Sequence, residues 1–255
     1  MARTIVVIGA SSGIGAAVAT ALAARGDQVA LAARRRGELE ALAARLGPKT
    51  LPIVTDVTSR ADVERLRDRA LETFGSIDVW VNNAGRGISR LVADITDEEL
   101  DLMMAVNVKS ALYGMQAVLP HFQARGTGQI VNVSSFLSRV PMASIRAVYS
   151  ASKAALNSLT ANLRMDLAVT DPGIHVTLVM PGLVSTDFAA NAVHGTPPIR
   201  PMAGGAGPQT AGEVAAVIVG VIDNPAAEVF TNPQHAAIMR RYFEDVGAFE
   251  RGLRS

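Results

Sequence analysis

Short runs rich in β-branched residues alternate with longer alanine-rich runs along most of the 255 residues, and this alternation constrains the fold more than any other feature. The extended candidates are TIVVI (4–8), QVALAA (28–33), TLPIVT (50–55), DVWVN (78–82), QIVNVSS (129–135) and IHVTLVMP (174–181), with a weaker AEVFT at 227–231. Helical periodicity occupies the intervals near 13–25, 36–46, 59–74, 97–123, 148–168 and 210–222. Nearly unbroken apolar strands have no face to offer water, so each must be covered on both sides. Strand–helix repetition supplies that cover, which predicts an α/β fold: a doubly wound parallel sheet with helices on both faces, in a single domain spanning 1–255. One stretch breaks the rhythm. Residues 183–209 are rich in Gly, Pro and Ala and too long for an ordinary connection, so they are read as a substrate-binding loop.

Composition narrows the setting. Apolar residues make up 49% and charged residues 18%, and the formal net charge is +1, so neither nucleic acid nor a membrane surface is expected as a partner. The absence of cysteine removes disulfides, thiolate ligands and thiol nucleophiles. No histidine or carboxylate pair has metal-ligand spacing, and no metal is expected. The apolar run in MARTIVVIGASSGIG is too short for a signal peptide, and no stretch approaches the ~20 apolar residues needed to cross a bilayer. A cytoplasmic protein is the expectation.

The first strand runs straight into GASSGIG and then a helix. Gly9, Gly13 and Gly15 permit a tight turn and close backbone approach, and Ser11, Ser12 and Ile14 complete it. A helix start offers free N–H groups and the positive end of its dipole, which together suit a pyrophosphate. A plain tight turn is the alternative. The end of the second strand bears on the cofactor. A site for NAD usually places an acid there to hold the ribose 2′-hydroxyl, but here Ala33 is followed by Arg34, Arg35 and Arg36. Cations at a helix N-terminus oppose the dipole at a cost of ~0.3–1 kcal/mol each, unless a bound 2′-phosphate reverses the balance. NADP(H) is therefore expected, held mainly by Arg34 with Arg35 beside it, and Arg36 is read as solvated.

Only three lysines stand against twenty-one arginines, yet Lys153 falls four residues after Tyr149 in YSASK. That spacing puts both on one helix face. An ammonium beside a phenol favours the phenolate, drawing its pKa down from ~10 and making Tyr149 a usable proton donor and acceptor. A surface tyrosine and lysine on an amphipathic helix is the alternative for such a pair taken alone.

The set GASSGIG, NNAG (82–85), VNV (106–108), VSS (133–135), YSASK (149–153) and PGLVST (181–186) resembles the short-chain dehydrogenase/reductase family, collinearly from residue 4 to about 187. The resemblance implies a Rossmann-type fold with Tyr149 as general acid/base. It also implies that Lys153 lowers the phenol's pKa while holding the nicotinamide ribose. Ser135 would hydrogen-bond the substrate carbonyl, and Asn107 would hold a water relaying protons to Lys153. Asp56 and Val57 would contact adenine, and Asn83, Ala84 and Gly85 would line the cofactor. Pro181, Gly182, Val184 and Thr186 would sit at its nicotinamide end, Thr186 on the amide. The fourteen-residue gap from Ser135 to Tyr149 leaves Ser134 as an alternative. Adjacent strand residues point to opposite faces, so only one can reach the site, and Ser135 is preferred.

Expected pocket residues are Phe136, Leu137, Met142, Ile145, Leu183 and Phe188, mostly apolar, which suits a hydrophobic ketone, aldehyde or secondary alcohol. An NAD-dependent alcohol dehydrogenase, a 3-oxoacyl-type reductase and a non-catalytic NADPH-binding regulator are the competing readings. The family resemblance further implies a homotetramer or dimer packed through the helices at 97–123 and 148–168.

Overall fold

All five residues of Thr4–Ile8 (β1) are buried, as a strand flanked on both edges and covered on both faces must be. The structure is a computed structural model and describes residues 2–195 and 207–253. From β1 the chain passes through Gly13–Ala24 (α1), Gln28–Ala33 (β2), Arg36–Leu46 (α2), Thr50–Val54 (β3), Arg60–Phe74 (α3) and Val79–Asn82 (β4). The second half contains Asp97–Met104 (α4), Ser110–Arg125 (α5), Gly128–Val133 (β5), Ala147–Thr170 (α6) and Ile174–Met180 (β6). Two short strands follow, Val184–Ser185 (β7) and Gln209–Thr210 (β8), then Ala211–Asp223 (α7), Glu228–Phe230 (β9), His235–Glu244 (α8) and Val246–Gly252 (α9).

Among the described residues the main sheet has seven parallel strands in the order β3-β2-β1-β4-β5-β6-β9. The chain walks outward from β1 to β3, then crosses back to β4 on the other side of β1. That reversal leaves a crevice beyond the carboxyl ends of the strands, where doubly wound folds bind their ligands. The register keeps those ends level: Ile8 pairs with Ala32 and Asn82, and Asn82 with Asn132. Alternate strand residues serve opposite faces. Ile5 and Val7 pack with Val18 and Leu22 of α1, Leu39 of α2 and Ile218 of α7. Val6 and Ile8 pack with Leu66 of α3, Phe122 of α5 and Leu167 of α6. Each such buried side chain contributes ~1.5–3 kcal/mol. One connected ladder of buried polar groups ties α6 to the sheet. Trp80 Nε1 donates to Asn82 Oδ1 at 2.9 Å, Asn82 Nδ2 to Asn132 Oδ1 at 2.8 Å, and Asn132 Nδ2 to Thr160 Oγ1 at 2.9 Å. This ladder fixes where α6 crosses β5, and so where Tyr149 stands.

The structure departs from the sequence expectations in four places. The expected strand at 129–135 ends at Val133, because the backbone turns through Ser135 into a single 3₁₀ turn, Phe136–Ser138. The segment after residue 231, to which the sequence reading assigned no element, forms α8 and α9. Residues 184–185 and 209–210 pair in parallel, so both ends of the expected 183–209 loop are fastened together; its middle, with Met202 and the first part of GGAGP, lies outside the described residues. Finally, the helix expected at 97–123 extends over Asp97–Arg125 and is long and apolar enough to cross a membrane by length and composition, against the expectation that no stretch approaches that length. Half of its most apolar 18-residue stretch is buried here, and Met103, Met115, Val118 and Phe122 are turned into the protein. A π-helical turn at Ala105–Lys109 interrupts it.

Candidate active site

The glycine turn after β1 is as crowded as a phosphate cradle requires. Gly9 and Gly13 have φ of +76° and +54°, in the left-handed region that side chains disfavour. A Cβ on Gly15 would lie 2.2 Å from the Gly9 carbonyl oxygen. Ser12 caps α1 with backbone alone, its side chain making no bond to the helix. Its hydroxyl instead accepts from Arg35 Nη2 at 2.8 Å, and Ser11 Oγ accepts from the same nitrogen at 2.9 Å. The first N–H groups of α1, its positive dipole end and a guanidinium therefore gather at one place, a composition that fits the pyrophosphate and 2′-phosphate of a dinucleotide. Arg34 and Arg35 both line the cleft, but it is Arg35 that reaches back to the glycine turn. The sequence reading gave the leading role at the 2′-phosphate to Arg34, which lines the same cleft. Local order along the chain could not show which of two adjacent exposed arginines turns inward.

The cleft has a volume of about 680 Å³. Gly9, Ser11, Ser12, Gly13 and Ile14 line it at one end, with Asp56, Val57, Asn83, Ala84 and Gly85 beside them. Ser135, Tyr149, Lys153, Pro181, Gly182, Val184 and Thr186 line the other part, together with Phe136, Leu137, Met142, Leu183 and Phe188. Three expected residues are not on its surface. Gly15 is packed behind the turn, and Asn107 stands behind Gly85. Ile145 is turned away, its carbonyl accepting from Arg90 N at 2.8 Å, and Arg146 takes its place on the wall.

The four residues assigned to catalysis come from three elements and converge. The Ser135 hydroxyl accepts from Leu137 N at 3.2 Å and faces the Tyr149 phenol across the cleft, where it favours the ionised form. Ser134 is committed elsewhere: its hydroxyl donates to Asn157 Oδ1 at 2.6 Å and lies 3.3 Å from the Lys153 carbonyl oxygen. The two serines thus make different contacts, although both line the cleft and both lie beyond the end of β5. Lys153 Nζ donates to the Val133 carbonyl at 2.9 Å, and a Cβ on Gly85 would meet Lys153 Nζ and Asn107 Oδ1 at 3.3 Å each. Asn107 sits in the π-helical turn, a distortion that often marks functional positions. Its Oδ1 accepts from Arg86 N at 2.8 Å, and its Nδ2 donates to the Arg86 carbonyl and to Ser152 Oγ, both at 3.0 Å.

Burial dominates the electrostatics. It raises the pKa of Tyr149, opposed by the Ser135 hydroxyl and by the charge of Arg146. The expected drop below the ordinary phenol value is therefore absent from the protein alone, because withdrawal from water outweighs the stabilising groups. Burial likewise lowers Lys153 to about 8, so near neutral pH this lysine readily loses part of its charge.

Sequence reasoning missed the far wall. Asn232, Gln234, His235 and Ile238 line the cleft from the start of α8. The His235 ring stacks on Phe136 with centroids 4.0 Å apart and planes 14° apart, and it fills the space beside Gly182. Burial pulls its pKa down to about 4, leaving it neutral. The apolar positions of HAAIMRRYFE carried a helical signal, but one too short to stand out.

A seven-stranded parallel sheet with a glycine turn at its switch point defines the doubly wound nucleotide-binding class. Comparison with known proteins narrows this. The family described as short chain dehydrogenase matches residues 3–196. An uncharacterised oxidoreductase of Staphylococcus aureus (strain N315) is 39% identical over 186 residues, covering 72% of this chain and 79% of its own. Among solved structures, a short-chain dehydrogenase/reductase from Burkholderia phymatum in complex with NAD superimposes with a TM-score of 0.86 at 26% identity, over 97% of this chain and 95% of that one. An alcohol dehydrogenase from Thermococcus sibiricus complexed with 5-hydroxy-NADP gives 0.78 at 27% identity, over 90% and 96%. The chain belongs to the short-chain dehydrogenase/reductase family of oxidoreductases.

Proposed function

We propose that the protein is an NADP(H)-dependent oxidoreductase acting on a carbonyl compound or secondary alcohol, with an apolar ketone or aldehyde as the favoured substrate. The observation that carries this reading is that Ser135, Tyr149 and Lys153 line the same cleft as the α1 N-terminus and Arg35. When bound, the nicotinamide supplies or accepts the hydride. Arg35, Ser11, Ser12 and the first turn of α1 would hold its phosphates, and Lys153 its ribose. A substrate oxygen placed between Ser135 and Tyr149 accepts hydrogen bonds from both. Tyr149 then gives its proton to that oxygen in reduction and takes it back in oxidation. Phe188, whose ring centroid lies 5.6 Å from that of Tyr149, shields the reacting centre from water together with Leu137 and Met142.

The preference for NADP(H) rests on Arg35 and Arg34 standing where an NAD site places an acid; the Burkholderia relative binds NAD, so the two cofactors must be compared directly. Turnover of a panel of ketones, aldehydes and secondary alcohols, followed by reduced-nicotinamide absorbance, should favour NADPH over NADH in kcat/KM. Equal use of both would remove the cofactor assignment. Tight NADPH binding without turnover of any carbonyl would favour a non-catalytic regulator.

A further inference from the structure

Arg146 is 5% exposed, a degree of burial that arginine rarely reaches. It occupies the N-cap position of α6, where it makes no side-chain cap bond and where a cation opposes the helix dipole. Nothing in the helix itself calls for arginine there. Its guanidinium is drawn into the cleft, where Nη1 donates to the Ile88 carbonyl at 3.2 Å. A Cβ on Gly87 would lie 2.7 Å from Arg146 Nη1 and 3.1 Å from Phe188 Cε1. Phe188 in turn packs on the Tyr149 ring. Gly87, Arg146, Phe188 and Tyr149 thus pack as one group, with Arg146 three residues before the phenol at the N-cap of its helix.

We propose that Arg146 is a positioning residue for proton transfer, the permanent cation that favours ionisation of Tyr149. The proposal rests on the reading of Tyr149 as general acid/base. In reduction the phenol O–H bond breaks, its proton passes to the substrate oxygen made anionic by hydride arriving from NADPH, and a phenolate remains beside Arg146. In oxidation the same steps run backwards. Tyr149 also has Lys153 on its own helix, Ser135 after β5 and Asn107 in the π-helical turn, while Arg86, Asp187 and His235 line the same cleft from other segments. His235 is neutral, and Lys153 loses its proton near about 8. A guanidinium holds its charge throughout that range even when burial lowers its pKa, as it does here. Arg146 lies three residues before Tyr149 in the chain and lines the same cleft, and its charge opposes the burial of the phenol.

The test needs neither substrate nor cofactor. The protein is labelled with 3-fluorotyrosine, which acidifies the phenol, and the ionisation of Tyr149 is followed by fluorine NMR. Only three tyrosines are present, so Tyr149→Phe identifies the resonance. Arg146→Met should raise the Tyr149 midpoint by about one pH unit or more, a tenfold or greater loss in ionisation. Arg146→Lys should restore most of it. Gly87→Ala provides an independent route, because the added methyl displaces the guanidinium tip without removing the charge, and it too should raise the midpoint. It decides the matter if Arg146→Met does not fold. Unchanged midpoints in the folded variants would overturn the proposal, as would a Tyr149 that stays un-ionised in every protein up to the pH of unfolding. A shift in midpoint without turnover of any carbonyl would sustain this inference while sinking the proposed reaction. Turnover without a shift would do the reverse.

Discussion

Changing Tyr149 to Phe removes one oxygen and leaves a ring that still packs against Phe188. Turnover should fall at least ~100-fold while NADPH binding persists, and near-normal rates would remove Tyr149 from the chemistry. Arg35→Ala is expected to weaken NADPH ten- to a hundred-fold, since a charge-assisted bond to phosphate contributes ~1.5–3 kcal/mol, and to leave NADH nearly unaffected. Arg34→Ala should have the smaller effect, because Arg34 makes no comparable reach to Ser11 and Ser12. Titration calorimetry with both cofactors separates these outcomes; equal weakening of NADPH and NADH would make the arginines structural. These residues also show what was legible. Tyr149 and Lys153 could be paired from sequence because i and i+4 spacing is a local property of a helix. Arg146 is just as close in sequence, yet its burial depends on Gly87 and Phe188, which only the folded chain brings to it.

Elements were legible wherever their pattern was long. Strands of unbroken apolar residues and long periodic helices could be placed almost to the residue, and in the structure capping boxes at Thr96–Glu99 and Thr210–Glu213 open two of those helices. The ten residues of α8 could not, and with α8 went the wall of the cleft that carries His235. That residue gives α8 a pH-dependent attachment. Its pKa is about 4 in the folded chain against an ordinary 6.5. Between those values the unfolded chain binds a proton that the folded one refuses, so stability falls as pH drops through this window and levels off below it. Full protonation should cost roughly 1–3 kcal/mol. His235→Phe keeps a ring to stack on Phe136 but has nothing to protonate. Thermal midpoints should therefore decline less in the variant than in the parent between pH 6.5 and 4, and amide protection in α8 should stop depending on pH there. Parallel declines would show that α8 is held by something other than a neutral imidazole.

At the scale of the molecule, the crossing back from β3 to β4 was implicit in the strand–helix rhythm, but surfaces leave a weaker trace than cores. The two helices expected to carry an oligomer interface do expose apolar side chains. On α6, Met165 is 59% and Val169 86% exposed, and on α4 Leu100 is 42% exposed. Met165 and Val169 are four residues apart, so they form one stripe rather than scattered points. Single exposed apolar residues are ordinary, but a stripe along a helix is a candidate for burial by a second copy of the chain. Sedimentation velocity at micromolar concentration is therefore expected to give a homodimer or homotetramer. Replacing Met165 and Val169 together by Glu should shift it to monomer, with the circular dichroism unchanged because neither side chain is in the core. A parent protein that sediments as a monomer, or a double variant that assembles as before, would place the interface elsewhere or remove it.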